Sequence, residues 1–295
     1  MKVVSARIAQ VWWEIHVRRL LAVIAFCTCI WSPALADTFM GRTIQVTDGR
    51  QDLQKPAPLV LALHGFLGTG RNLRRKSRFD AVARSEGFIV VYPNGRARRW
   101  NDGRSPGNRV DDVAFLSSLI AALVARGQVD PARVFVTGHS NGGGMAMRMA
   151  CDRPDLVRGI SVVATKSALN YQCRGGPPVA ALFVHGTADP ISPHQGRGAD
   201  SRLGGALSSR DTLSLWQGRN RCNGRPQMRV VDRVDDGTVA EVLHYSGCAA
   251  PLQAVVIKGH GHGWPGPAAR KTLLEGPATR EVDATRMTWS FFSGL

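Results

Sequence analysis

The fold of this chain is decided by residues 133–142, which read RVFVTGHSNG. An apolar, β-branched run leads directly into Gly138-His139-Ser140-Asn141-Gly142, and a helical pattern follows over residues 145–150. A G-x-S-x-G sequence between a strand and a helix predicts a sharp turn that exposes the serine hydroxyl at the top of a sheet. Glycine on either side leaves room for so tight a turn. The N-terminus of the following helix favours negative charge beside Ser140.

Outward from this turn, strand-like and helix-like patterns alternate along the chain. Such alternation predicts an α/β fold, with a mostly parallel central sheet and helices on both faces. Reactive side chains are then expected at the carboxyl ends of the strands. The predicted strands are residues 59–63, 88–92, 134–137, 160–164, 179–184 and 254–258, and the predicted helices are residues 72–85, 112–126, 209–219 and 283–292.

Three reactive side chains each follow the end of a predicted strand. They are Ser140, Asp189 and His262. A serine hydroxyl is a weak nucleophile, so we expect His262 to take its proton and later return it, while Asp189 orients the imidazole. The expected oxyanion hole consists of the backbone N–H groups of Asn141 and of Phe66, which follows an earlier strand.

Neighbouring polar residues leave alternatives open for the base and its partner. His260 is a second candidate base, and the His260–His262 pair could instead bind a metal. No acidic or cysteine ligand stands beside that pair in the sequence, so we predict neither a metal nor an organic cofactor. If Asp189 only caps its own turn, Asp211 or Asp232 would replace it.

Several aromatic and imidazole side chains could either line a pocket or pack in the core. The candidate pocket residues are Trp264, Trp100 and His260, and for both tryptophans packing is an equal alternative. His64, His139 and His185 stand in tight turns and are expected to have structural roles.

The first 36 residues have the pattern of a signal peptide. Basic residues precede an apolar run at residues 20–31, and Ala34-Leu35-Ala36 fits a cleavage site. The run is shorter than the ~20 residues that span a bilayer, although a retained membrane anchor is the alternative. We predict a signal peptide at residues 1–36, a single catalytic domain at residues 37–295, and export to the periplasm or the medium.

Four cysteines remain after that cleavage: Cys151, Cys173, Cys222 and Cys248. An even number of cysteines in an exported chain predicts two disulfides. Three pairings are possible. We favour Cys151–Cys173 with Cys222–Cys248, because each bridge closes a short local loop.

The formal net charge of +16 limits the kinds of partner that the chain is expected to bind. The basic residues are scattered, with short clusters at residues 71–78 and 96–104. Aromatic residues do not alternate with them as they do in single-strand nucleic-acid binders. We therefore predict no nucleic-acid partner, an affinity for anionic surfaces, and a monomer.

Taken together, the motifs resemble the exported polyhydroxybutyrate depolymerase and feruloyl esterase group of α/β-hydrolases. The order Ser…Asp…His is the α/β-hydrolase order. The resemblance runs over nearly the whole chain after residue 36. The matching segments are Leu63-His64-Gly65, Tyr92-Pro93-Asn94-Gly95, Trp100-Asn101, Asp111-Asp112-Val113, Gly138-His139-Ser140-Asn141-Gly142-Gly143, His185-Gly186-Thr187-Ala188-Asp189-Pro190 and Gly261-His262-Gly263-Trp264-Pro265-Gly266.

The resemblance implies the α/β-hydrolase fold and the triad Ser140, Asp189 and His262. It also implies that the Cys222–Cys248 bridge lies near the loop that bears the base. The implied activity is hydrolysis of short hydroxyalkanoate oligomers, or of feruloyl and acetyl esters, through an acyl-enzyme. The sequence departs from the group at His260, where glycine is usual, and in having no separate polymer-binding module. Soluble esters or oligomers are therefore expected rather than crystalline polyester.

Two other functions fit the same sequence. A peptidase or an acyltransferase could use the same scaffold, since a fold does not fix its chemistry. The net charge also fits a non-catalytic binder of anionic envelope polymers.

Overall fold

The computed structural model describes residues 37–105, 107–171, 173 and 176–295, which belong to one compact unit, Asp37–Leu295. The predicted signal peptide lies outside the described residues. Within them, no helix combines the length and apolarity needed to cross a bilayer.

A ten-stranded sheet runs through this unit in the order β1-β2-β4-β3-β5-β6-β7-β10-β9-β8. From β4 to β10 in this order, neighbouring strands pair in parallel, and the two strands at either edge pair antiparallel. The mostly parallel α/β fold is thereby confirmed. The strands are β1 (Asp37–Phe39), β2 (Arg42–Asp48), β3 (Ala57–Leu63), β4 (Ile89–Pro93), β5 (Val129–His139), β6 (Gly159–Val163), β7 (Ala180–Gly186), β8 (Gln227–Val231), β9 (Val239–Tyr245) and β10 (Leu252–Lys258).

The antiparallel edge strands β1, β2, β8 and β9 were not among the predicted strands. Each central strand is buried on both faces and reads as a continuous apolar run. The edge strands carry polar residues instead, and in β8 only the last of five residues is buried. Their sequences therefore lack the signal that marks the central strands.

Helices cover both faces of the sheet, as expected. They are α1 (Gly70–Ser77), α2 (Phe79–Glu86), α3 (Asp112–Ala125), α4 (Asn141–Asp152), α5 (Ser209–Arg219) and α6 (Ala284–Ser293).

The core divides into one layer on each face of the sheet. Leu59, Leu61 and Leu63 of β3 pack with α3, α4 and α5, while Val60 and Ala62 pack on the other face with α1, α2 and α6. This alternation follows from the two-residue period of a strand. Each fully buried leucine stabilises the fold by roughly 1.5–3 kcal/mol relative to an exposed one.

The single helix predicted over residues 72–85 is wrong, because two helices occupy this segment. Arg78 has a left-handed backbone (φ 57°), and its N–H bonds to the Arg74 carbonyl at the end of α1. Residues two apart point to different sides of a continuous helix. The break at Arg78 lets both Ser77 and Phe79 be buried, at 3% and 0% exposure.

Both favoured disulfides are present in the structure. Cys151–Cys173 joins the end of α4 to the segment after β6, and Cys222–Cys248 joins the segment after α5 to the β9–β10 turn. Their position corrects one implication of the resemblance. Cys248 precedes β10 whereas His262 follows it, so the second bridge lies at the opposite end of that strand from the base-bearing loop.

The topology brings the candidate site residues to one edge of the sheet. Strands β3, β5, β7 and β10 are mutually parallel. Their carboxyl ends lead into the loops that contain Phe66, Ser140, Asp189 and His262 respectively.

Candidate active site

Ser140 stands alone between β5 and α4, with φ 53° and ψ −119°. A non-glycine residue rarely adopts this backbone, and such strain persists only when the surroundings enforce it. A Cβ on Gly138 would come within 2.2 Å of the Gly142 backbone, and one on Gly142 within 2.1 Å of the Leu63 carbonyl oxygen. The turn therefore requires both glycines, and it leaves the Ser140 side chain half-buried.

The predicted pair of His262 and Asp189 is formed. The Nδ1 atom of His262 lies 2.7 Å from Oδ2 of Asp189. The other carboxylate oxygen accepts backbone N–H groups from Ile191 (2.9 Å) and Ser192 (2.6 Å). With Nδ1–H donating to the carboxylate, the second ring nitrogen of His262 is left as an acceptor for a hydroxyl proton.

The buried carboxyl of Asp189 is held in its ionised form. Burial alone would raise its pKa, but the hydrogen bond from His262 and the backbone N–H of Ser192 bring the pKa below its ordinary value. An ionised Asp189 both fixes the imidazole and stabilises an imidazolium.

The alternative partners of His262 lie elsewhere. Asp211 is exposed at the start of α5, where its carboxylate accepts the Ser208 hydroxyl at 2.7 Å. Asp232 is exposed just after β8. His260, the alternative base, is 1% exposed, and its Nε2 contacts the Gly263 carbonyl at 3.1 Å.

His139 connects the Ser140 turn to the loop that carries His262. Its Nε2 donates to the main-chain carbonyl of His262 at 2.6 Å, and the two rings lie 5.0 Å apart. Burial, followed by the nearby charge of His262, lowers the pKa of His139 to about 3, so the ring is neutral. The His262 N–H in turn donates to the Glu275 carbonyl at 2.6 Å. The backbone of His262 is thus held on both sides.

Lys166 supports the loop of Asp189 from within the protein. Its side chain is buried (1% exposed), and its Nζ donates to the carbonyls of Ser192 (2.9 Å) and Pro193 (2.7 Å). Burial lowers the pKa of Lys166 to about 7. His185 stands beside it, with Nε2 3.5 Å from the Asp189 carboxylate. Sequence reasoning missed the role of Lys166, because the lysine follows β6 and meets the loop only in the fold.

The loop after β3 reaches the nucleophile. A Cβ on Gly65 would lie 3.4 Å from the Cβ of Ser140, so the segment that carries Phe66 passes directly beside the serine. The loop is closed by a bond from the Gly68 N–H to the Gly65 carbonyl (2.9 Å). A second bond joins the Leu67 N–H to the carbonyl of Arg98 (2.8 Å).

Asn141 is the first residue of α4, so its N–H has no acceptor one turn earlier in the helix. Its side chain is fixed in the interior. Oδ1 accepts the Trp100 N–H at 2.7 Å, and Nδ2 donates to Asp102 at 2.9 Å. This anchoring fixes the first turn of α4 beside Ser140.

Trp100 and His64 brace the loop that carries Phe66. The Trp100 indole N–H donates to the His64 carbonyl at 3.0 Å, and the His64 ring accepts the Gly95 N–H at 2.9 Å. Trp100 is only 2% exposed and His260 only 1%. Both are packed in the interior, so neither forms the open pocket wall that the sequence suggested.

Trp264 is the predicted pocket residue that borders an open groove. It is 5% exposed, and its indole N–H donates to the Thr285 hydroxyl at 3.0 Å. Together with Gly263 it lines a groove of about 750 Å³ beside α1. The tryptophan therefore both packs and contributes to a surface next to His262.

This geometry suits acyl transfer. It places a strained serine at a helix N-terminus, an imidazole oriented by a carboxylate, and a backbone loop beside the serine. These are the parts that form and stabilise a tetrahedral oxyanion.

Known proteins resemble this chain in sequence and in fold. The model of the Esterase family, described as "Putative esterase", matches residues 41–252. The "Probable feruloyl esterase C" of Aspergillus clavatus is 31% identical over 219 residues, covering 72% of each chain. "Feruloyl esterase C" of Emericella nidulans is 29% identical over 232 residues, covering 75% of this chain and 76% of its own. The structure of an acetyl xylan esterase from Aspergillus awamori superposes on this chain with a TM-score of 0.57 and 17% sequence identity. The superposition covers 78% of this chain and 93% of that structure, so the two folds are similar.

Proposed function

This chain belongs to the Esterase family, and we propose that it is an exported serine esterase that cleaves carboxylic esters through an acyl-enzyme. The observation that carries the proposal is the 2.7 Å bond between His262 and Asp189, at the same sheet edge as the strained Ser140 turn. No metal or organic cofactor enters the proposed reaction.

In the proposed reaction, Ser140 is the nucleophile. Its oxygen attacks the ester carbonyl while the free ring nitrogen of His262 takes the hydroxyl proton. Asp189 stabilises the resulting imidazolium. The tetrahedral intermediate then collapses, and His262 gives the proton to the departing alcohol. Water repeats the sequence on the acyl-enzyme, which releases the acid and restores the serine.

The developing oxyanion is assigned to the backbone N–H groups of Phe66 and Asn141. The Asn141 N–H projects from the first turn of α4, where the helix dipole favours negative charge. One oxyanion donor is typically worth about 3–4 kcal/mol of transition-state stabilisation.

The proposed substrates are feruloyl and acetyl esters, together with short hydroxyalkanoate oligomers. Relatives named as feruloyl esterases favour the first class. The groove beside Trp264 offers room for an extended acid or alcohol part.

The direct test is hydrolysis of methyl ferulate and of p-nitrophenyl esters from acetate to octanoate. The parent should turn over at least one ester, and Ser140→Ala should lose several orders of magnitude in kcat. Ser85→Ala, an exposed serine on α2, is the matched control and should keep the parental rate. Equal rates in the parent and Ser140→Ala, or no turnover of any ester, would contradict the proposal. Amide substrates and added acceptor alcohols in the same assay would detect peptidase or acyltransferase activity.

We also propose export with removal of residues 1–36, leaving residues 37–295 as the catalytic domain. The two disulfides support an oxidising compartment. N-terminal sequencing of the protein recovered outside the cytoplasm should begin at Asp37. Recovery of an unprocessed chain from the cytoplasm alone would refute export.

A further inference from the structure

The groove beside Trp264 adjoins the proposed base. Gly263 and Trp264 directly follow His262, and Glu275, whose carbonyl accepts the His262 N–H, also lines the groove. Helix α1 forms a further wall and begins just after the loop that carries Phe66. A substrate bound at Ser140 could therefore extend into this groove. The charged residues that line the groove are Arg75, Lys76, Arg270 and Glu275.

The charges in the groove do not cancel. Lys76 forms an ion pair with Glu275, which removes one positive charge. Arg75 and Arg270 are both exposed, and neither forms an ion pair within the described part of the chain. Arg75 donates to the neutral side-chain oxygen of Asn72, at 3.3 Å. Two guanidinium groups therefore face the groove without a compensating carboxylate.

A second group of cations extends this positive surface along the loop that carries Phe66. Arg98 donates to the Gly68 carbonyl at 3.4 Å and also to that of Leu67, which places residues 96–99 against the segment that carries Phe66. Arg96 and Arg99 are exposed and, among residues 37–105, 107–171, 173 and 176–295, form no ion pair. Arg75 of the first basic cluster and Arg98 of the second thus lie at the groove and at the loop that carries Phe66, respectively.

Uncompensated guanidinium groups at a groove favour an anionic ligand. Arginine matches a carboxylate with two parallel N–H donors. Several cations of one sign around a cleft also raise the local concentration of an anionic substrate. A neutral ester gains from neither effect.

We propose that this groove binds the negatively charged part of the ester, so that the protein prefers esters bearing a free carboxylate over neutral esters of equal size. Arg75 and Arg270 are the specificity-determining residues. This inference rests on the proposed esterase function and specifies its substrate class.

The test compares matched anionic and neutral esters. For charge on the acid part, the pair is p-nitrophenyl hemiadipate and the p-nitrophenyl ester of adipic acid monoamide. For charge on the alcohol part, the pair is 4-carboxyphenyl acetate and 4-carbamoylphenyl acetate. Each rate is divided by that of hydroxide-catalysed hydrolysis, because the leaving groups differ in reactivity. The readout is the ratio of kcat/KM between the members of each pair.

In at least one pair the anionic ester should be preferred. Arg75→Gln and Arg270→Gln should each lower that preference by roughly twofold to fivefold, the factor expected for an exposed ion pair. Arg75→Lys should keep most of it, since the charge remains. Arg126→Gln, at the exposed end of α3, is the matched control and should leave the ratio unchanged. Added NaCl should also reduce the preference, because salt screens exposed charges.

The outcomes separate this inference from the proposed function. Turnover of the neutral esters without any preference for the anionic ones would overturn the inference and leave the esterase proposal intact. A preference that survives in the Arg75→Gln/Arg270→Gln double variant would overturn it as well. Lack of turnover of all four esters, and of the esters in the serine test, would instead refute the esterase proposal.

Discussion

His139 donates its Nε2–H to the main-chain carbonyl of His262 over 2.6 Å, so the residue before the proposed nucleophile holds the backbone of the proposed base. The two residues are 123 positions apart in the chain. The bond joins the turn after β5 to the loop after β10, and these are the two segments whose separation sets the distance from Ser140 to the imidazole. The proposed catalytic geometry therefore depends on His139, which has no chemical role in the proposed reaction.

Replacing His139 should therefore slow catalysis, because the imidazole of His262 would no longer be held in place. His139→Phe removes the donor and leaves the His262 carbonyl unpaired, so we expect kcat to fall about 10- to 100-fold, as in other enzymes whose catalytic groups are misplaced. KM should change little. His139→Gln keeps an N–H donor and should retain more activity. Steady-state kinetics on a p-nitrophenyl ester would show the difference, and equal kcat in the parent and His139→Phe would show that the bond has no catalytic role.

The backbone of the nucleophile turn should tolerate no side chain at Gly142. An added Cβ would lie 2.1 Å from the Leu63 carbonyl oxygen, so Gly142→Ala must displace β3 or the turn. We expect loss of activity together with a lower melting temperature.

Gly218 provides the matched control for that substitution. It lies within α5, and a Cβ there meets no atom within 4 Å. Gly218→Ala should stabilise the protein by about 0.5–1 kcal/mol through helix propensity and leave kcat unchanged. Parental activity in Gly142→Ala would contradict the steric argument.

The sequence predicts those parts of the site that depend on residues close together in the chain. The Ser140 turn is specified by its own glycines and by the elements on either side. The partners Asp189 and His262 follow from their positions after apolar strand-like runs, because parallel strands end at one edge of the sheet.

The remaining features depend on contacts between distant segments. Nothing near Lys166 in the sequence shows that its ammonium meets the Ser192 and Pro193 carbonyls. Burial of Trp100 likewise depends on how β3, β4 and α4 meet. The break at Arg78 is decided by tertiary packing, which buries Ser77 and Phe79 together and overrides a helical pattern.

The Cys222–Cys248 bridge should affect stability without affecting catalysis. It lies at the end of β10 away from His262. Replacing both cysteines by alanine should lower the free energy of unfolding by about 2–4 kcal/mol, the usual contribution of such a bridge. Urea denaturation would measure this loss, and kcat under native conditions should match the parent. A large drop in kcat of the fully folded variant would mean that the bridge does position the loop that carries His262.

Lys166 should make stability depend on pH in the alkaline range. Burial lowers its pKa from 10.5 to about 7, so between these values the unfolded state binds a proton that the folded state lacks. The free energy of unfolding contributed by this group must therefore rise with pH across that window, and it is lowest below pH 7. Lys166→Met has no titrating group at this position and should lose that rise.

The measurement is the difference in unfolding free energy between the parent and Lys166→Met, from urea denaturation at several pH values from about 6 to 10. Taking this difference cancels the titration of groups common to both proteins. The parent should gain stability relative to the variant as pH increases. Lys76→Met removes a half-exposed ammonium paired with Glu275, and it is the control for loss of a lysine that is not buried. A constant difference between the parent and Lys166→Met would mean that the buried ammonium stays charged, held by the Ser192 and Pro193 carbonyls.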